Sequence, residues 1–206
     1  MPALTDASSP RSAATRRRRQ EILDAALECF STVGFDQTTL ADIREKAGAS
    51  NGSIYHHFGS KEQIAASLYL DGIRQTQAAG LEALLRTRTA RTGIAALVGA
   101  YIDWVAKHPA LARFLFAMRH APFMDAEEPA ITGLNQDVNA RAARWFADRI
   151  AAGELPDIEP AMRSAIMFGP CRLWAGSWLL GATTTSPERA KRVISTAAHA
   201  ALEALL

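Results

Sequence analysis

Hydrophobic positions recur at three- and four-residue spacings along nearly the whole chain, and nowhere do they alternate as a half-buried strand requires. From Arg16, the residues Ile22, Leu23, Ala26, Phe30 and Val33 form one apolar stripe, which Gly34 ends as a left-handed cap. Thr39 with Asp42 three residues on predicts a helix start: a hydroxyl for orphan amides and a carboxylate favoured by the helix dipole. Leu40, Ile43 and Ala47 line the buried side of that short helix, and Gly48 breaks it. After Ala49–Ser50 turns the chain, a second short helix is expected from Asn51 to His57, with Ile54 and Phe58 as its apolar contacts. Ser60 then opens a long helix, and Gln63 completes a capping box with it.

The remainder continues in the same period. Ile94, Leu97, Val98, Tyr101, Ile102 and Val105 make one stripe, and Pro109 starts another with Leu111, Phe114, Leu115 and Met118. Pro129 opens a longer helix carrying Ile131, Leu134, Val138, Trp145, Phe146 and Ile150. A helix from about Asp157 to Leu180 carries Ile166, Met167, Leu173, Trp174 and Trp178, with Gly169–Pro170 expected to kink or loosen it. The last begins at Ser186–Pro187 and shows Ala190, Val193, Ile194, Ala197, Ala201, Leu202 and Leu205. The expected fold class is all-α, with about nine helices.

Composition narrows the function classes. At 206 residues and 49% hydrophobic content the chain has the means to bury a core, whereas residues 1–15 read as a disordered tail. A net charge of +2, from 23 basic against 21 acidic residues, excludes a wholly basic nucleic-acid binder but not a local basic site. Arg11 and Arg16 to Arg19 supply such a site, with no acid between Arg11 and Gln20. Two cysteines, Cys29 and Cys171, both in apolar helical patterns, suit a reduced cytoplasmic protein rather than a disulfide scaffold. The N-terminus lacks the apolar stretch of a signal peptide. The most apolar segment, Ser164 to Ala182, has Arg172 at its centre and reads as a buried helix, so no membrane partner is expected. His-x-x-x-His, Cys-x-x-Cys, Gly-x-Ser-x-Gly and phosphate-loop motifs are missing. Neither catalysis, metal nor cofactor is therefore expected.

One stretch is more specific than the rest. Two short helices about a glycine-containing turn, at 39–58, make a helix-turn-helix, whose second helix enters the DNA major groove. The exposed positions of that helix are Asn51, Gly52, Ser53, Tyr55 and His56: compact donors and acceptors plus a gap for close backbone approach. Composition alone leaves an ordinary solvent-facing helix equally open. His57 is expected to pack internally, His56 to be the more exposed of the pair.

From about Arg17 to Gln63 the residues resemble the DNA-binding domain of the TetR/AcrR family of transcriptional regulators. Ala26, Phe30, Gly34 and Phe35 carry the likeness at the end of the first helix, followed by the Thr38–Thr39 opening, Asp42–Ile43 and Ala47–Gly48. It continues through Gly52-Ser53-Ile54-Tyr55-His56-His57-Phe58 and Ser60-Lys61-Glu62. Ala49 stands where the family more often has a larger aliphatic residue, and Arg44 where it commonly has alanine.

The resemblance implies three parts: a tail (1–15), a three-helix DNA-binding domain (16–76), and a helical effector-binding and dimerisation domain (77–206). It implies that Tyr55 contacts a phosphate and braces the recognition helix. By the same likeness Ser50, Asn51, Ser53 and His56 face bases or phosphates, Gly52 permits close approach, and Thr38 and Thr39 meet the DNA backbone. Lys61 would reach a phosphate, which offsets the disadvantage of a cation in a helix's first turn. Arg17 and its neighbours would lie along phosphate or in the minor groove. The expected partners are double-stranded operator DNA, a second copy joined through the last two helices, and a small apolar or aromatic effector. Trp104, Phe114, Met118, Trp145, Met167 and Trp174 are the candidates for the effector pocket, with Asp103 and Asp137 the available acids. The expected function is a ligand-released repressor on a palindromic operator; a helical carrier without DNA binding is the alternative.

Overall fold

The computed structural model describes residues 10–206, all of whose regular structure is helical. Nine α-helices follow one another: α1 Pro10–Val33, α2 Leu40–Lys46, α3 Asn51–His57, α4 Lys61–Leu85, α5 Ala90–Lys107, α6 Pro109–Met118, α7 Glu128–Ala151, α8 Pro160–Leu179 and α9 Pro187–Glu203. A 3-10 helix, Pro122–Glu127, precedes α7. Two compact units divide the chain, one reaching to Tyr69 and the other spanning Leu70–Leu206.

In the first unit the stripe of α1 buries Ile22, Leu23, Ala26 and Phe30 together with Ile43 of α2, Ile54 of α3, Phe58, and Ile64 and Leu68 of α4. Val33, the last residue of the expected stripe, is exposed instead, because the helix ends there. Gly34 at φ +87° and Gly48 at φ +54° turn the chain out of α1 and α2 in a conformation that side chains with a Cβ resist. The Thr39–Asp42 capping box forms as its spacing predicts, and Ser50 caps α3 by accepting from the Ser53 amide. At α4 the Ser60 hydroxyl accepts from the Gln63 amide, while the Gln63 side chain reaches back to the Gly59 amide, one residue earlier than the motif would have it.

Helix α1 also begins earlier than expected. It starts at Pro10, whose fixed φ and missing N–H suit a first turn, and the alanines at 13 and 14 carry the helix into Arg16. The rest of the expected tail, residues 1–9, lies outside the described residues, as do the side chains of Arg11, Ile131, Leu134 and Asp137.

In the second unit α5, α8 and α9 pack against one another. Helix α9 presents Ala190, Ile194, Ala198 and Leu202, a strict four-residue stripe, and its alanines let the neighbouring backbones approach closely. Helix α8 opens at Pro160, after Glu159, rather than at Asp157. It stays helical through Gly169–Pro170, so the expected loosening into a turn does not occur there. Both residues are exposed, so the proline ring sits on the outer side and displaces nothing packed. Leu173, read from the sequence as part of the α8 core stripe, is 76% exposed.

Candidate nucleic-acid interface

Helix α3 stands on two buried residues, Ile54 at 2% and Phe58 at 3% exposure. With that side anchored, the helical period turns Asn51, Gly52, Tyr55 and His56 outward, and leaves Ser53 half-buried. Tyr55 is 63% exposed, a large aromatic held in water with its hydroxyl free to reach out. A Cβ added at Gly52 would meet nothing within 4 Å, so the gap on the outer face is real. His56 is exposed and His57 half-buried, with the two rings edge to face at 5.0 Å. Burial, then the neighbouring His56, Arg19 and Arg18, hold His57 below the usual imidazole range.

An arginine ties the turn between α2 and α3 to α1. Arg18 donates to the carbonyls of Ala47 and Gly48, at 3.1 and 2.6 Å, and to Glu21 at 2.7 Å. The carbonyls at the end of α2 have no helical donor of their own, and a guanidinium is the group best shaped to serve two at once. Arg19 lies over the Phe58 ring at 5.3 Å. Of the arginine run, then, Arg18 and Arg19 face inward, whereas Arg17 is 81% exposed and paired to Glu21 at 3.4 Å. The sequence presents all four as one basic stretch. Their division into inner and outer pairs follows from the helical period, which alternates faces within such a run.

Two expected contacts stand differently. Thr38 is 1% exposed, and its hydroxyl donates to the Gly34 carbonyl at 2.7 Å, so it shapes the turn and is shut off from any phosphate. Lys61 commits its ammonium to the carbonyls of Phe35 (2.8 Å), Asp36 (3.3 Å) and Thr38 (2.9 Å), and sits 4.4 Å from the centre of the Phe35 ring. An ammonium has three donors, and all three are taken. It braces the loop before α2 rather than standing free for a phosphate. Thr39 and Ser50 remain exposed at the starts of α2 and α3. Hydrogen bonds from the Thr39 amide and hydroxyl keep Asp42 below the usual carboxylate range.

One residue outside the expected set joins this surface. Arg44 of α2 donates to the Asn51 side-chain oxygen at 2.9 Å. The bond orients the carboxamide with its NH₂ outward and brings a guanidinium beside the first turn of α3. Its only signal in the sequence is that Arg44 stands where a small residue was expected.

In the second unit the six candidate pocket residues occupy four helices. Phe114, Met167, Trp104, Trp145 and Trp174 are buried, and Met118 is half-buried. Trp145 is structural: its indole donates to the Thr87 carbonyl at 3.3 Å, and its ring lies against Gly93 of α5. Trp174 donates to the Thr185 carbonyl at 3.3 Å and stacks on Trp178 at 5.6 Å. Trp104 has a buried indole N–H with no partner among the described residues. Asp103, one of the two candidate acids, is ion-paired to Lys191 of α9 at 2.6 Å. No described helix is long and apolar enough to cross a membrane.

Comparison with known proteins agrees with this geometry. Residues 22–68 match the family described as bacterial regulatory proteins, tetR family. The chain is 40% identical over 58 residues to the HTH-type transcriptional repressor AcnR of Corynebacterium jeikeium, covering 28% of this chain and 31% of that protein. It is 34% identical over 111 residues to the HTH-type transcriptional repressor KstR2 of Rhodococcus jostii, covering 50% of this chain and 51% of that one. These matches thus span about a third to a half of the curated relatives' length. The fold extends the likeness. A TetR family transcription regulator from Marinobacter aquaeolei VT8 superposes with a TM-score of 0.76 over 94% of this chain and 98% of its own, at 20% identity. Residues 22–68 are thus similar to the N-terminal domain of the tetR family of bacterial regulatory proteins, and the chain as a whole shares the fold of a solved TetR family regulator.

Proposed function

We propose that the chain is a sequence-specific transcriptional repressor that binds a palindromic operator as a homodimer and is released by a small effector. The observation that carries the reading is the outer face of α3. Asn51, Gly52, Ser53, Tyr55 and His56 lie on a helix seven residues long, backed by Ile54 and Phe58 and preceded by a turn that Arg18 ties to α1. Short polar side chains on a rigidly backed helix suit base edges and phosphates of a major groove. Arg44, Thr39 and Ser50 extend that face along α2 and the turn, and the exposed Arg17 supplies a phosphate contact from α1.

Dimerisation is supported by a second surface. Met162, Leu173 and Leu180 of α8 and its end are 55%, 76% and 83% exposed, and Val193 and Leu205 by α9 are each 54% exposed. Ala197 and Ala201 lie exposed along the same outer side of α9. Leucine and methionine at helical spacing on an outer face are costly to leave in water, and a two-fold pairing of α8 and α9 buries them. A dimer of this kind is also what a reader of half-sites needs.

Release by effector is supported by the continuity of helix α4, which runs from Lys61 in the first unit to Leu85 in the second. An effector that favours one setting of this helix changes the spacing of the two readers. To move the population from 1:99 to 99:1 it must discriminate between the settings by about 5.5 kcal/mol.

The test is selection of bound sequences from random DNA at near-physiological salt, with wild type and Tyr55→Ala in parallel. Wild type is expected to enrich an inverted repeat, and Tyr55→Ala to bind it more weakly while keeping the same melting temperature. A folded dimer that enriches nothing overturns the repressor reading and leaves a helical carrier.

A further inference from the structure

One hydrogen bond on the outer face of the helix-turn-helix joins side chains from both of its helices. The Arg44 guanidinium of α2 donates to the Asn51 side-chain oxygen at 2.9 Å, and Asn51 is the first residue of α3. An arginine carries donors and no acceptor, so chemistry alone decides which end of the carboxamide faces it: the oxygen. A free asparagine offers its donor and its acceptor interchangeably, by half a turn of its last torsion. Asn51 has lost that choice, and it is exposed, so the group it offers outward is the NH₂.

Arg44 itself is held by little else. Among the described residues it forms no ion pair, and the acids around it are committed: Glu21 to Arg17 and Arg18, Glu28 to Lys46, and Asp42 to Thr39. It is half-buried, and the guanidinium keeps further N–H groups beyond the one that meets Asn51. Next along α3, a Cβ at Gly52 would meet nothing within 4 Å, which leaves room for a base edge to come close to the pair. The outward chemistry of Arg44 and Asn51 together is therefore donors side by side.

The four bases differ in what they show such a surface. In the major groove guanine presents two acceptors, N7 and O6; adenine presents one acceptor and an amino donor, cytosine an amino donor, and thymine one acceptor beside a methyl group. An asparagine on its own matches adenine, because its acceptor and donor complement adenine's donor and acceptor. With the oxygen facing Arg44, an adenine amino group that approached it would meet the guanidinium's charge and its remaining N–H groups. Guanine meets no such conflict, since each donor finds an acceptor. We propose that Arg44 and Asn51 act as one donor-only reader that selects a guanine in each operator half-site, with Arg44 as the residue that determines the choice. The pair rests on the operator-binding reading above, and adds to it the base that the first turn of α3 reads.

The experiment is selection from random DNA with the full-length wild type, Asn51→Ala, Arg44→Ala and Arg44→Met, followed by gel shifts on the enriched site with each base at the position in question. Arg44→Met keeps the aliphatic stem of a half-buried side chain, so the comparison holds if Arg44→Ala fails to fold. Asn51→Ala identifies the position, as the one where it flattens base preference. Wild type is expected to show guanine there, favoured over adenine at least about fivefold, the lower end of what a good base contact discriminates. Arg44→Met is expected to lose that preference and gain adenine at the same position, because Asn51 recovers its acceptor, with an unchanged melting temperature. Adenine at this position in wild type, a guanine preference untouched by both Arg44 variants, or no position altered by Asn51→Ala overturns the proposal. So does an Arg44→Met protein that binds every sequence equally more weakly, with a log–log salt slope reduced by about 0.9, since that is the signature of a phosphate contact. In each of these cases wild type still enriches an inverted repeat and the operator-binding reading stands. A wild type that enriches nothing overturns that reading, and the guanine reader with it.

Discussion

At the scale of single residues, the cations near α3 divide into those that hold the first unit together and those exposed for the proposed contacts with DNA. Lys61, with its three carbonyl acceptors and the Phe35 ring, belongs to the first group, as does Arg18 on the Ala47 and Gly48 carbonyls. Arg17 belongs to the second, exposed along α1 with only a weak pairing to Glu21. Salt dependence of operator binding separates the two roles. Arg17→Ala is expected to reduce the log–log salt slope by about 0.9, one phosphate's share, with no change in melting temperature. Lys61→Met is expected to destabilise the protein by about 2 kcal/mol, through carbonyls left without a charged donor, while the salt slope of the remaining folded protein is unchanged. A Lys61→Met variant of full stability and reduced slope would return that lysine to the phosphate.

At the scale of helices, the ends marked by a capping side chain or a terminal glycine were legible in the sequence, whereas the starts of α1 and α8 and the contacts between elements were not. Thr39 with Asp42, Ser50, Ser186 before Pro187, and the glycines at 34 and 48 act locally, within a turn of their own position, so their spacing along the chain is enough. Lys61 bonding carbonyls 23 to 26 residues away, and Arg44 reaching Asn51 from another helix, depend on how helices cross and leave no periodic trace. The same holds for the core. Gly93 inside α5 looks like a weak helix residue, yet a Cβ there would stand 2.2 Å from the Trp145 ring, with Leu84 at 3.2 Å. Trp145 has no room to yield, since its indole is tied to the Thr87 carbonyl and its other face meets Phe146 edge-on at 5.2 Å. Gly93→Ala, which ordinary helix propensity would favour by about 1 kcal/mol, is therefore expected to destabilise by about 1–3 kcal/mol instead. Chemical denaturation of the two proteins measures the sign directly.

At the scale of the whole molecule, the proposed dimer makes the outer side of α8 the surface that decides whether one reader or two engage DNA. The exposed positions Met162, Gly169, Leu173 and Leu180 recur at intervals of seven, four and seven residues down the helix and just past its end, the period of a face and not of scattered surface residues. The sequence places Leu173 in the core because an apolar residue at helical spacing reads the same whether its partner is its own chain or a second copy. Leu173→Glu puts a carboxylate at the middle of that face without disturbing the packed side, where Met167, Cys171 and Trp174 lie. Light scattering is expected to find the variant monomeric at micromolar concentration with an unchanged melting transition at its own core. Operator affinity is then expected to fall by far more than one side chain contributes, because a lone helix-turn-helix keeps only half of the phosphate and base contacts and loses the second half-site as an intramolecular event. A Leu173→Glu protein that stays dimeric would place the interface elsewhere. One that is monomeric but binds the inverted repeat undiminished would remove the two-fold pairing from the mechanism.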